Sequence, residues 1–229
     1  MTEEVTNQTE EFLESIYRLQ ERDGAARTSE LAKMLNIVPG TVTNTVERLE
    51  KRGLIKHEAY RGVKLTKEGR AIALQVLRKH RLSERLLSDV LRMKWDRIHE
   101  AACQLEHGVT EEVADNIEKL LEQPQTCPHG NPIPTHAGEI ADEDTQLLLT
   151  LQPNEEVVIS NLVDETPSTL TQILKAGLKP QTRIKLLKKD SKKRILEIQI
   201  SGTNRQISFQ LASVIKVRKN GPTIKIEPE

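Results

Sequence analysis

His99, Cys103, Glu106 and His107 lie on one stretch of predicted helix. At about 100° per residue their directions fall at roughly 0°, 40°, −20° and 80°, so all four project into an arc of about 100°. Imidazole, thiolate and carboxylate together suit Fe²⁺, Mn²⁺, Co²⁺, Ni²⁺ or Zn²⁺ better than Ca²⁺ or Mg²⁺. An upstream helical stretch adds His80 and Glu84 at i and i+4, and Glu11 and Glu14 occupy a polar stripe near the amino terminus. A single His or Cys on a helix is more often packing than a ligand, but co-facial clustering of so many donors points to metal. They suffice for two divalent sites. Cys127 and His129, in Cys-Pro-His, fall in a proline-flanked stretch with no further ligand in register and are expected to be structural.

The elements that must carry these donors can be read from periodicity. Residues Thr9 to Arg22 hold Phe12, Leu13, Ile16, Tyr17 and Leu19 at helical spacing, ended by Asp23-Gly24. Thr28 or Ser29 then caps a short helix, Pro39-Gly40 breaks the chain, and Thr41 opens a helix stopped by Gly53. Two short helices around a tight turn make a helix-turn-helix. Leu54 to His57 and Val63 to Leu65, joined through Tyr60-Arg61-Gly62, read as a hairpin, so the unit is winged. A long helix follows from Thr66 towards Trp95, bent near His80, and its apolar stripe from Leu86 to Leu91 suits a core or a dimer interface equally. Asp96 to Val109 carries the quartet, and Thr110 starts one more helix.

Prolines and glycines from Gln123 to about Asp144 mark a linker, after which short β-branched runs predict a β-barrel of SH3-like size with one helix, Ser168 to Ala176. The expected fold class is therefore mainly α with a small β domain. It divides into a winged helix-turn-helix DNA-binding domain at 1–73, a helical region carrying the metal donors at 74–123, which the resemblance described below implies is also the dimerisation domain, a linker at 124–150 and an SH3-like domain at 151–229.

Composition narrows the partners. The 229 residues have zero formal net charge, yet residues 27–81 carry thirteen Lys/Arg against five Asp/Glu, and residues 100–156 carry one Lys against thirteen acids. The first segment suits a polyanion and the second suits cations. No apolar run is long enough to span a bilayer and the first residues lack signal-peptide character, so a cytoplasmic protein without a membrane partner is expected. Two cysteines make no disulfide framework.

In a helix-turn-helix the first turn of the second helix approaches base edges. Here that turn offers Pro39, Gly40, Thr41, Thr43 and Asn44, with Asn44 suited to adenine and the methyl groups of Val38, Pro39 or Thr41 to thymine. Arg48, Lys51 and Arg52 further along, with Arg27, Thr28, Ser29 and wing Arg61, are candidates for phosphate contacts. Stacking aromatics are missing from this surface, which favours double-stranded DNA over single strands.

Three stretches bring in a resemblance that spans nearly the whole chain: Arg78 to Leu87, Ile98 to His107, and Gly130-Asn-Pro-Ile-Pro134. With them the sequence resembles the metal-dependent transcriptional repressors typified by the diphtheria toxin repressor and the iron-dependent regulators. The resemblance implies a homodimer that binds a palindromic operator and represses metal-uptake genes. It also implies an ancillary site of His80, Glu84 and His99, and a primary site of Glu11, Cys103, Glu106 and His107. In iron-responsive members the position of Glu11 is commonly Met, and in manganese-responsive members it is an acid while that of Cys103 is commonly Glu. The thiolate at Cys103 and the iron-type carboxy-terminal domain favour Fe²⁺, Glu11 favours Mn²⁺ and makes Glu14 an extra donor, and Co²⁺, Ni²⁺ or Zn²⁺ are possible substitutes. The family's third domain donates further ligands from a segment aligned with Leu162 to Leu170, where Thr166 and Thr169 stand and Glu165 is the nearest carboxylate.

An ion bridging Glu11 to the later donors would fix the angle of the reading heads, which makes metal the corepressor. The competing class, a di-metal hydrolase or oxygenase, needs a catalytic signature such as His-Glu-x-x-His that the chain lacks, so no enzyme is expected. A purely structural metal in a metal-independent DNA-binding protein is the other rival.

Overall fold

A computed structural model describes residues 6–58 and 61–219, so Tyr60 of the wing and residues 220–229 of the last domain lie outside the described residues. The chain divides into two units, one of residues 1–83, 103–120 and 133–140, the other of 84–102, 121–132 and 141–229. The long helix α4 (Lys67–Arg85) passes from one to the other, carrying His80 in the first and Glu84 in the second.

The first unit opens with α1 (Asn7–Asp23), capped by the Thr6 hydroxyl, which accepts from Thr9 N, and ended by Gly24 in the left-handed region. Helices α2 (Thr28–Met34) and α3 (Pro39–Lys51) follow, then an antiparallel hairpin of β1 (Ile55–Glu58) and β2 (Gly62–Leu65). Phe12, Leu13, Ile16, Leu31, Val42, Leu49, Ile55, Val63 and Leu77 belong to one buried apolar core. Two local readings change. Pro39 begins α3 as its first helical residue instead of breaking the chain, because a helix's first turn needs no donor from it. Arg27, with no side-chain capping hydrogen bond, occupies the cap of α2, and Thr28 is already inside the helix. Gly69 lets α4 approach the hairpin, since a Cβ there would stand 2.0 Å from Leu54 O.

Helix α4 continues without a break through His80 and gives way to a π-helical turn at Leu86–Val90. The single quartet helix is likewise divided. Trp95–Arg97 is a 3-10 turn, α5 spans Ile98–Leu105, and Glu106–Gly108 tightens to 3-10 before α6 (Glu111–Leu120). A 3-10 turn advances about 120° per residue, so the 100° projection no longer applies to Glu106 and His107.

The second unit contains an antiparallel sheet of β3 (Gln146–Leu147), β4 (Glu156–Leu162), β5 (Arg183–Asp190), β6 (Ile195–Ile200), β7 (Thr203–Ser208) and β8 (Ile215–Lys219), in the order β3-β8-β4-β5-β6-β7. Helices α7 (Pro167–Ala176) and α8 (Phe209–Ala212) pack on it. Alternation along β6 buries Leu196, Ile198 and Ile200 and leaves Glu197 and Gln199 on the other face. The segment read as a linker is not a loose tether, because Cys127, His129 and Asn131 within it are buried.

Candidate metal centre

In the first unit, donors from three elements converge. Glu14 of α1, His80 of α4 and Glu106 of the 3-10 turn are all buried, with ligand atoms within 4.8 Å of one another. His80 Nδ1 stands 2.5 Å from Glu106 Oε2, and Cys103 Sγ lies within 4.8 Å of one His80 ring nitrogen. His107 Nε2 approaches Glu106 Oε1 at 3.6 Å, while its Nδ1 lies 3.5 Å from Glu10 Oε2. That Nδ1 is a buried atom with no hydrogen-bond partner, as expected of a donor awaiting a cation. Burial raises the Glu106 carboxyl above its usual range, with Glu14 adding to the rise and the His80 hydrogen bond opposing it.

Helical geometry sets which acids of α1 face this group. Glu10 and Glu14 are i and i+4 and share a stripe, and Arg18 continues it by bonding Glu14 through Nε at 2.9 Å. Glu11 is exposed and stands outside this group of donors, whereas Glu14 is buried within it.

The second unit holds a second set. Glu84 at the end of α4, His99 of α5 and Glu165 before α7 converge, with His99 Nδ1 3.2 Å from Glu84 Oε1 and 3.6 Å from Glu165 Oε2. Two donors expected to be structural join the same carboxylates. Glu84, Cys127, His129 and Glu165 are all buried and within 4.8 Å of one another. His129 Nδ1 is 3.1 Å from Glu84 Oε1 and 3.3 Å from Glu165 Oε1. Its Nε2 faces Trp95 O at 3.3 Å, and a carbonyl only accepts, so Nε2 carries hydrogen and Nδ1 is the atom aimed at the carboxylates. Burial pulls the His129 pKa down, but the Glu84 charge and hydrogen bonds from Cys127, Glu165 and Glu84 outweigh it and push it far above the usual histidine range. Burial raises the Cys127 thiol. This set of carboxylates, imidazole and thiol fits a divalent transition ion.

A loop closed on itself makes this possible. Cys127 N donates to Asn131 O at 2.8 Å, Gly130 N donates to Cys127 O at 2.9 Å, and Thr126 bridges Pro132. Gly130 sits at φ +86°, and a Cβ on it would meet Ser160 O at 2.0 Å. Asn131 Nδ2 donates to Glu165 Oε1 at 2.9 Å and to Leu162 O at 3.1 Å, fixing the carboxylate. The signal for this pair was a Cys and a His two apart ahead of a left-handed glycine, but their partners lie in distant segments. Thr166 and Thr169 are engaged with Asp164, so of that segment Glu165 joins the donor group.

Of the quartet, His99 belongs to the second unit with Glu84, while Cys103, Glu106 and His107 belong to the first, where His107 stands beside Glu106. The DNA-reading candidates Arg27, Thr28, Ser29, Pro39, Gly40, Thr43, Asn44, Arg48, Lys51 and Arg61 are all exposed, and Thr41 is half-buried. Asn44, Arg48, Lys51 and Arg52 line an open depression on α3 together with Glu47, which the sequence reading passed over.

Residues 4–63 match the iron-dependent repressor N-terminal DNA-binding domain, and residues 66–135 match the iron-dependent repressor metal-binding and dimerisation domain. Residues 146–219 match the FeoA domain. The iron-dependent repressor IdeR of Mycobacterium tuberculosis is 35% identical over 193 residues, covering 79% of this chain and 84% of that protein.

The chain belongs to the iron-dependent repressor family. It is a metal-dependent, DNA-binding transcriptional repressor and not an enzyme. Its mainly helical front and SH3-like carboxy-terminal sheet recur in the crystal structure of IdeR from T. acidophilum, with TM-score 0.82 at 29% identity over 92% of this chain and 97% of that one. A manganese-dependent transcriptional repressor in complex with manganese superimposes with TM-score 0.86 at 26% identity, covering 92% of this chain and 99% of the other. The matched domains give this repressor DNA and a second copy of itself as partners.

Proposed function

We propose that Fe²⁺ is the corepressor, that Glu14, His80, Cys103, Glu106 and His107 hold the activating ion, and that Glu84, His99, Cys127, His129 and Glu165 hold an ancillary one. The observation that carries this reading is the meeting of α1, α4 and the 106–108 turn at one buried group of donors. Helix α1 supplies Phe12, Leu13 and Ile16 to the core that also holds α3. Anything that fixes Glu14 against His80 and Glu106 therefore fixes the helix-turn-helix against the helical segment behind it. Left to themselves, the buried carboxylates of Glu14 and Glu106 repel each other, and Glu106 is pushed towards its neutral form. A bound divalent ion supplies the positive charge that offsets this repulsion. Swinging the reading heads from 1:99 to 99:1 takes about 5.5 kcal/mol of differential affinity, less than the ~10 kcal/mol a structural transition ion can supply.

The loaded homodimer reads a palindromic operator through Thr41, Thr43 and Asn44, anchored by Arg48, Lys51, Arg27 and wing Arg61, and shuts off metal uptake. Exposed Val90, Leu91 and Met93 following α4 supply apolar surface for pairing. A second reading, Mn²⁺ as corepressor, is favoured by the carboxylates Glu14 and Glu106 in the first group and by the manganese complex of a related fold.

The test is an anaerobic titration of metal-free protein with Fe²⁺, Mn²⁺ and Zn²⁺ against a duplex enriched on the loaded protein, followed by fluorescence anisotropy. Fe²⁺ should raise DNA affinity at the lowest free concentration. Activation by Mn²⁺ at lower free concentration than Fe²⁺ would transfer the assignment to manganese.

A further inference from the structure

The SH3-like domain carries an uncompensated basic edge that metal binding does not use. From residue 145 to 219 there are thirteen Lys/Arg against six Asp/Glu, and between 175 and 219 the acids are Asp190 and Glu197. Four of the cations, Lys188, Lys192, Lys193 and Arg194, cluster at the tip of the β5–β6 hairpin, where all four are exposed and, among the described residues, none makes an ion pair. The tip is built, not loose. Asp190 Oδ1 accepts from Lys192 N at 3.1 Å and Lys193 N at 3.0 Å, Arg194 closes the turn at φ +54°, and its carbonyl accepts from Phe209 N at 2.9 Å. The backbone bonds of Lys193 and then Lys192 hold the Asp190 carboxyl below its usual range, with the nearby charges of Lys193 and Lys188 adding to the fall. Lys189 alone turns back, bonding Leu149 O at 2.7 Å and covering the Phe209 ring.

We infer that the β5–β6 tip is a second DNA-contact surface, touching duplex phosphates without reading sequence. A hydrogen-bonded turn that displays four exposed cations around a single carboxylate matches the sugar-phosphate backbone, whose condensed counter-ions are released when it is neutralised. An acidic protein segment is the less favoured partner. It would select for spaced pairs and offers no such release, and this chain is already a DNA-binding protein.

The experiment compares the full-length wild type with Lys192→Gln/Lys193→Gln/Arg194→Gln, both metal-loaded, on long duplexes with and without the operator. The slope of log affinity against log salt should be smaller by about 2 to 3 in the variant on either duplex. Lys192→Arg/Lys193→Arg, which keeps the charge, should behave as wild type. An unchanged slope for the triple variant overturns the inference, as does weaker binding with the slope intact, which signals a folding or pairing defect. A variant that loses affinity for an acidic peptide but none for DNA also overturns it.

Discussion

At the scale of single residues the second donor group offers its own reporter. Trp95 is the sole tryptophan of the chain, its ring 4.8 Å from that of His129 in a T-shaped contact and its Nε1 donating to Pro128 O at 3.0 Å. Fe²⁺ or Mn²⁺ entering among Glu84, His129 and Glu165 should quench its fluorescence. His129→Ala should abolish that response while metal-stimulated DNA binding persists through the first group. A quench of normal size in His129→Ala would remove His129 from the ligand set. Gly130→Ala tests the loop that delivers these donors. With φ at +86° and a carbonyl 2.0 Å from the added carbon, the loop must shift, and metal affinity at this site should fall about 10-fold or more. In the first group, Glu14→Gln should weaken metal activation more than Glu11→Gln, because Glu14 is buried among the donors and Glu11 is exposed.

At the scale of elements, α4 and α6 are joined by Arg78, which is almost fully buried and donates to Asp115 at 2.8 Å and Glu118 at 2.9 Å. The hydrogen bond and charge of Arg78 hold the Asp115 carboxyl below its usual range. A carboxylate depressed in the folded state stabilises the fold above its unfolded pKa, about 3.9, and that contribution is lost as pH falls through the folded value. Arg78→Gln should therefore be less stable than wild type at neutral pH, and denaturant titrations should show the gap closing below about pH 4. A gap that persists into stronger acid would assign the loss to packing alone. This buried arginine was invisible to periodicity, which sees only apolar stripes. Where apolar spacing set the answer, as in α1, α6, the wing and the strands of the second unit, the elements stand close to their expected positions. Periodicity failed where the backbone leaves ideal helix, at the π turn of Leu86–Val90 and the 3-10 turn of Glu106–Gly108, because nothing in residue type announces a change of pitch. It failed equally at Cys127 and His129, whose partners Glu84 and Glu165 are about forty residues away on either side and meet them only through tertiary folding.

At the scale of the whole molecule, the two donor groups have different duties in the proposed cycle. The first joins α1 to α4 inside the DNA-reading unit and is the switch; the second draws α4, α5, the 126–132 loop and the segment before α7 together and is a brace. Removing metal with a chelator should thus cost specific DNA binding before it costs helical content, since the aliphatic cores around Leu13 and Ile198 need no ion. Coupling between cation and operator is reciprocal: whatever factor the ion adds to DNA affinity, the operator must add to ion affinity. The most direct test is the affinity of the first group for Fe²⁺, measured in the His129→Ala protein with and without saturating operator duplex. Tighter metal binding in the presence of operator, matching the gain in DNA affinity on loading, is the expected result; equal metal affinity in both conditions would contradict the clamp.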